Sequence, residues 1–527
     1  MITQENERDK KWEGLGHPWD IIVIGGGITG AGILHEATRI GLKALLVEQR
    51  DFSWGTSSRS SKMVHGGLRY LMEGNFSLTR ACLHERERLL AEYPGLIDPL
   101  GFLLVTYRHS SPGKWTYKLG MCISDLMLFQ WKHQYYKAPD FLMLAPHIAR
   151  KNLTGGFSYK DAMTDDSRLV LRLIYEAMDR GAGAMNYVTA EQVIRRKGSV
   201  VGVSLVDRLA HRSADVHAQT VINATGPWAN CLRESGEDLS LRPLRGSHMI
   251  FQPWRLPVAQ AISFLHPTDG RHIFVFPWEG MTLLGTTDID HKEALDHEPA
   301  MGMEEADYLL TAAQAQFPEL GLTRKDVVST FAGVRPVVGS GKKEASKEPR
   351  DHMVRSENGL LTVTGGKLTT FRLIARDTLK AAGYRASVAS AFVDQTASVE
   401  RSIDPLTAQH LGETGCRRLL GRYGTRTSAV LKAAETGELE TIGDTAVLWA
   451  DLRWGARSED VAHLEDLLLR RVRLGLLLPQ GGRAMMNRIK EICKPELGWS
   501  DSRWDKEETA YLDLCQNCYS LPEPPTP

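Results

Sequence analysis

Residues 20–50 read DIIVIGGGITGAGILHEATRIGLKALLVEQR, and this stretch decides the fold. Ile21 to Ile24 form a short apolar run suited to a buried parallel strand. Gly25, Gly27 and Gly30 then supply G-x-G-x-x-G. The first glycine permits a tight turn, the second lets backbone approach a pyrophosphate, and the third lets a helix pack closely on the strand. The helical pattern continues through Ile40, with Gly41 placed as its stop. Leu42 to Val47 is the second strand, ending at Glu48. A carboxylate there can accept both ribose hydroxyls of an adenosine and would repel a 2′-phosphate. Strand, glycines, helix, strand and terminal acid in that order predict a βαβ dinucleotide site.

The rest of the chain bounds what surrounds this unit. At 527 residues it is too long for one core, so several structural units are expected. Lys+Arg and Asp+Glu are both 64, a balance that argues against a nucleic-acid partner. The seven cysteines are few and scattered, as reduced thiols are. Cys515 and Cys518 form a lone C-x-x-C and read as incidental thiols, and no metal site is expected. The polar start lacks the apolar core of a secretion signal, and no run of 18 apolar residues occurs. The expected location is cytoplasmic, at most peripheral on the cytoplasmic face of a membrane.

Two further segments choose between dinucleotides. QTVINATGPWA (219–229) is a strand running into Ala224, Thr225 and Gly226, and GLLTVTGGKLTTFR (359–372) is a strand running into Gly365 and Gly366. Strands that end in small residues let backbone approach a flat ring or a pyrophosphate. Contacts dispersed over the whole chain suit a long, two-headed cofactor, so FAD, held noncovalently, is favoured over NAD.

The segment TSSRSSKMVHGGLRYL (56–71) makes the chain recognisable. With the N-terminal glycines it resembles the FAD-dependent glycerol-3-phosphate dehydrogenases, within the D-amino-acid-oxidase-like flavoproteins. The resemblance continues through NATGPWA (223–229), RGSHMIF (245–251), FPWEGMTLLGTTD (276–288), AGVRPV (332–337) and GGKLTTFR (365–372). It covers about residues 18–380, and EDVAHLEDLLLRRVRLGLLLP (459–479) resembles that family's helical cap. It implies oxidation of sn-glycerol 3-phosphate to dihydroxyacetone phosphate, with hydride passing from C2 to flavin N5. The electrons then go to a membrane quinone or, in some members, to oxygen. An amine or amino-acid oxidase on the same fold, or a noncatalytic flavin-binding subunit, are the competing readings. Assembly as a homodimer stays open.

Physical chemistry assigns tasks to these residues. Thr56, Ser57, Ser58, Ser60 and Ser61 make a hydroxyl-rich loop able to bond pyrophosphate and ribityl oxygens. Lys62 adds a charge for phosphate or flavin, and His65, Gly66 and Gly67 permit close approach to the isoalloxazine. Gly366, Lys367 and Leu368 complete the cofactor set. A substrate phosphate requires guanidinium and ammonium groups. The cations within motifs are Arg69, Arg335, Arg350 and Lys367; the resemblance places Arg335, Arg350 and Lys367 near the substrate, with Tyr70 and His248 beside them. His248 is the first choice for the base, since a neutral imidazole accepts a proton near working pH; packing or orienting the flavin is its other possible task. Arg335 could polarise the hydroxyl instead. Lys367 could bind phosphate or stabilise reduced flavin.

The expected architecture is α/β: an FAD-binding Rossmann-like domain interleaved with an α+β substrate-binding cap, followed by a helical domain. The FAD domain is expected at 18–80, 155–230 and 330–385, the cap at 81–154 and 231–329, and the helical domain at 386–520. In residues 113–137, Trp115, Leu119, Cys122, Leu126 and Phe129 recur at helical spacing, widened by Met121, Ile123, Met127 and Leu128. Lysines flank this face. It reads as an interfacial helix on a membrane surface, or else as a core helix of the cap.

Overall fold

The first strand, Trp19–Ile24, lies at the centre of a parallel sheet because both of its faces are apolar and both are covered. The computed structural model describes residues 4–67, 71, 74–108, 112–128, 133–233, 239–339, 351–385 and 403–523. Ala44–Val47 and then Gly183–Met185 flank the first strand on one side; Arg212–Asn223, Leu360–Gly365 and the antiparallel His352–Glu357 flank it on the other. Register places Ile24 beside both Val47 and Asn223, and Asn223 beside Thr362. The carboxyl ends of four parallel strands therefore share one edge. Gly25, Glu48, Ala224 and Gly366 follow directly from those ends.

One face of this sheet packs on helices Ile28–Arg39, Asp166–Asp179 and Phe371–Ala381 around Ile21, Val23, Leu46 and Ile222. The other face buries Ile22, Ile24, Leu45 and Val221 against the hairpin Val188–Arg196/Ser199–Asp207 and Leu15. Gly41, at φ 83°, stops the first helix where the sequence places its end.

A second sheet is mostly antiparallel and is built from Met63–Val64, segments between Ile97 and Thr164, and segments between Leu241 and Val338. Its alternation assigns the two faces. Phe102, Ile250 and Phe276 face the C-terminal helices, while Leu103, Met249 and Val275 face helix Met303–Gln316. Strands His272–Trp278 and Met281–Gly285 turn at Glu279 and Gly280, both at positive φ, as a two-residue hairpin requires.

The pairing places residues 63–64, 155–164 and 330–338, expected in the FAD domain, in the second sheet. Met63–Val64, Leu153–Thr164 and Val327–Val338 all belong to the second sheet. Val327–Val338 pairs along its whole length with Leu241–Phe251. The misplacement has a simple cause: nothing in the composition of these segments marks the change of sheet.

Helices from Pro405–Tyr423 to Asp501–Cys518 form the C-terminal region. Buried ion pairs join it to the FAD domain. Asp51 accepts from Arg470 Nε at 2.5 Å and from Arg471 Nη1 at 2.6 Å, and Arg168 forks onto Glu459 at 2.6 and 2.7 Å. Arg422 reaches Asp165 at 3.0 Å, and Arg473 reaches Asp166 at 3.1 Å.

Candidate active site

The glycine turn fits a pyrophosphate by steric exclusion. Gly25 stands at φ 115°, and a Cβ there would meet the Ala224 carbonyl oxygen at 2.5 Å. A Cβ on Gly30 would lie 1.9 Å from the Gly25 carbonyl oxygen, so only glycine allows the helix to seat against the turn. Gly27 caps that helix without a side chain, which leaves a helix N-terminus facing the strand ends. Ser57 Oγ accepts the Ile28 N–H at 2.9 Å, fixing the hydroxyl-rich loop to the same helix end. Glu48 accepts N–H bonds from Gly26 at 2.6 Å and Arg50 at 2.9 Å. Burial pushes its carboxyl above the ordinary range. Each oxygen keeps a free lone pair that suits a ribose hydroxyl.

From this edge a cavity of about 570 Å³ runs between the two sheets, a size in the range of cofactor and ligand sites. Ser60, Ser61, His65 and Gly67 line it from the loop, and Gly365, Gly366, Lys367 and Leu368 from the last parallel strand. Gly66 is fixed beside them, its N–H donating to Asp161 at 2.8 Å while Arg86 holds the same carboxylate at 2.7 Å. From strands of the second sheet come His248 and Arg335, and from the loops at its strand ends Arg271 and Asp288. Thr225 Oγ1 donates to Asn223 at 2.7 Å, and Gly226, at φ 62°, accepts from Thr364 at 3.2 Å; these bonds shape the turn after strand Arg212–Asn223.

His248 sits on strand Leu241–Phe251, pressed between Phe331, whose ring stacks on it at 4.6 Å, and Gly285. A Cβ on Gly285 would reach the imidazole at 2.2 Å. Burial, then Lys62 and Arg335, hold its pKa well below the ordinary 6.5. The sequence reading placed it near working pH; the dry site and two cations move it down, so the ring is neutral at pH 7. Arg335 Nη1 lies 3.8 Å and Arg271 Nη2 3.6 Å from opposite oxygens of Asp288. Both guanidiniums are part-exposed on the cavity side of that carboxylate.

Lys62 does not offer its charge to a phosphate. Its ammonium is fully buried, donating to Asp166 at 2.8 and 2.9 Å and to the Ser58 carbonyl at 2.7 Å. Burial and the neighbouring Arg473 bring its pKa down to about 7. Two hydroxyls of the loop are also engaged internally. Thr56 donates to the Val334 carbonyl, and Ser60 donates to Asp166 at 2.7 Å. Arg69, Tyr70 and Arg350 lie outside the described residues. Arg271 carries no sequence signal because Gly270-Arg271-His272 has no recognisable spacing; Asp288 ends the stretch 276–288, which enters the sequence reading only for the resemblance it carries.

The apolar helix is Lys114–Leu128, followed by strand Gln134–Lys137. Tyr117, Gly120, Met121 and Asp125 face inward, while Trp115, Leu119 and Leu126 are 73%, 63% and 61% exposed. Its apolar stripe thus faces away from the protein, and Met121 packs inside. No helix among the described residues is long and apolar enough to cross a membrane.

Comparison with known proteins agrees with this layout. Residues 20–376 match the FAD dependent oxidoreductase family, and residues 377–504 match the C-terminal domain of alpha-glycerophosphate oxidase. The aerobic glycerol-3-phosphate dehydrogenase of Bacillus subtilis is 37% identical over 69% of this chain and 68% of its own length. Its counterpart in Staphylococcus aureus is 32% identical over 86% of both chains. The solved structure of the glycerol-3-phosphate dehydrogenase from Bacillus halodurans, complexed with FAD, superposes with a TM-score of 0.76 at 30% identity, covering 99% of this chain and 100% of that one. The strand-end glycines, the buried Glu48 and these relatives together make the chain a member of the FAD-dependent oxidoreductase family, in the branch that holds the aerobic glycerol-3-phosphate dehydrogenases.

Proposed function

We propose that this chain oxidises sn-glycerol 3-phosphate to dihydroxyacetone phosphate. One observation carries the reading: Arg271, Arg335 and Lys367 open onto the same cavity as a neutral His248, at the strand ends that gather the dinucleotide turns. Bound FAD supplies the two-electron oxidant. Gly25, Gly27, Gly30, Glu48, Ser57, Thr225 and Gly226 would hold its adenosine and pyrophosphate, and His65, Gly67, Gly366, Lys367 and Leu368 its ring end.

The chain's own residues do the rest. Arg335, with Lys367 and Arg271, anchors a phosphate dianion and thereby fixes the carbon that reacts. Asp288 between the two guanidiniums keeps them apart and oriented. His248 takes the hydroxyl proton; burial, with Lys62 and Arg335, favours its neutral form. Relatives named as dehydrogenases support glycerol 3-phosphate as substrate over an amine.

A quinone is the proposed electron acceptor, and helix Lys114–Leu128 the proposed contact with the bilayer. Its outward Trp115, Leu119 and Leu126 suit the acyl boundary, and Lys114 and Lys118 suit acidic headgroups. The test is a panel of substrates and acceptors. Turnover is expected with glycerol 3-phosphate and a quinone analogue, and not with glycerol, glycine or sarcosine. Peroxide formed at the same rate in air would make oxygen the acceptor. Turnover of an amine would overturn the substrate assignment. Arg335→Met should raise KM about 10- to 100-fold, the loss of one charge-assisted pair.

A further inference from the structure

His248 reaches the cavity through a single polar outlet. The imidazole is 1% exposed, and its Nδ1 is buried with no hydrogen-bond partner among the described residues. Phe331 covers one face of the ring and Gly285 closes on its Cδ2 edge. Nε2 remains, and Ser61 Oγ stands 2.9 Å from it. Ser61 is half-buried and lines the cavity. Ser61 and His248 both line the cavity, and the serine is the more exposed of the two.

The loop is built to hold Ser61 there. Asp166 Oδ2 accepts both the N–H and the hydroxyl of Ser60, at 2.8 and 2.7 Å. The same carboxylate binds the Lys62 ammonium, and Lys62 adopts φ 56°, an uncommon value for a residue with a side chain. Arg473 donates to Asp166 at 3.1 Å and to the Ser58 carbonyl at 2.7 Å. Both neighbours of Ser61 are thus fixed to one buried carboxylate, while its own side chain turns to His248. The bland role for such a serine, capping or filling the turn, is already performed by Ser60.

Resting on the proposed oxidation of a secondary alcohol, we infer that Ser61 relays the substrate's proton to His248. The substrate O–H bond breaks and its proton passes to Ser61 Oγ. The serine's own proton passes to Nε2, so the serine is regenerated and His248 becomes imidazolium. The C2–H bond breaks with its hydrogen leaving as a hydride, which bound FAD would accept, and the ketone remains. Lys62 and Arg335 are the cations that face the ring, and the bound phosphate dianion opposes their field. Asp166 acts as a positioning residue, through Ser60 and Lys62.

The test uses the full-length holoprotein with Ser61→Ala and Ser61→Thr. Anaerobic flavin reduction by glycerol 3-phosphate is followed in mixtures of H₂O and D₂O, together with FAD content and thermal unfolding. ¹⁵N-histidine spectra of the substrate-free protein are recorded, with His248→Gln to assign the ring. Ser61→Ala should reduce about 100-fold more slowly, the scale of lost acid–base assistance, with FAD content and unfolding temperature unchanged. The wild-type rate should bow downward with deuterium fraction, as two moving protons require, and become linear in Ser61→Ala. The Nε2 resonance should move in Ser61→Ala; Ser61→Thr should restore both it and most of the rate. Wild-type speed in Ser61→Ala, an unmoved Nε2 resonance, or Ser61→Thr as slow as Ser61→Ala would each overturn the relay. A wild-type protein that glycerol 3-phosphate does not reduce overturns the functional reading and the relay together. That result is distinct from equal reduction of wild type and Ser61→Ala.

Discussion

Asp51→Asn is the perturbation whose cost can be worked most fully from the structure. Asp51 follows the second parallel strand, three residues beyond Glu48, and is fully buried. Its Oδ2 takes Arg470 and Arg471, and its Oδ1 takes Arg471 at 2.8 Å and Asn186 at 3.0 Å. The two cations hold its carboxyl well below the usual range. An amide keeps the shape but removes the charge and points N–H groups at a donor. Arg470 retains Asp466 and Glu465, whereas Arg471 makes no other ion pair among the described residues. The substitution therefore leaves a buried guanidinium unpaired, which costs about 3–5 kcal/mol. At about 1 °C per kcal/mol for a chain of this length, the unfolding temperature should fall by about 3–5 °C. Differential scanning calorimetry in saturating FAD removes the contribution of cofactor loss. Adding Arg471→Met removes the orphaned charge and should recover at least half of the drop. An Asp51→Asn protein unfolding within about 1 °C of wild type, or a double variant no better than the single, would refute the reasoning.

Other consequences are equally open to measurement. Gly30→Ala, whose methyl would fall 1.9 Å from the Gly25 carbonyl oxygen, should yield folded protein without FAD, seen as a lost visible band with far-ultraviolet dichroism kept. The flavin-reduction rate should show no loss from His248 protonation at or above pH 6.5, because burial depresses that ring. An acid limb centred at or above 6.5 would contradict the placement of that ring. Replacing Trp115, Leu119 and Leu126 together by serine should abolish flotation with anionic liposomes while leaving reduction by glycerol 3-phosphate unchanged. Equal flotation would remove helix Lys114–Leu128 from the membrane contact.

Much of the flavin-binding half was legible because its signals are local. Gly25, Gly27, Gly30 and Glu48 fall within one βαβ unit, and the parallel register carries Ala224–Gly226 and Gly366 to the same edge. The loop from Thr56 to Gly67 was recognisable, but its internal division was not. Lys62 looks like a ligand cation in sequence and becomes one only if no carboxylate claims it; Asp166, about a hundred residues away, does. The same reason hides the clamp between Asp51 and Arg470–Arg471, whose partners are 419 and 420 positions apart. Sheet membership failed at Leu153–Thr164 and Val327–Val338 because a strand's composition does not name its partner. His248 was found by motif; its stacking, its depressed pKa and its bond to Ser61 needed coordinates.

The central claim is that one cavity brings a phosphate-binding pair of guanidiniums, a proton acceptor and FAD to the same secondary alcohol. Its most direct test is anaerobic mixing of the purified holoprotein with glycerol 3-phosphate while the visible band of oxidised flavin is recorded. The band should bleach at saturable rates, and dihydroxyacetone phosphate should form in equal amount. A band that stays unchanged with glycerol 3-phosphate, yet bleaches with dithionite, would contradict it.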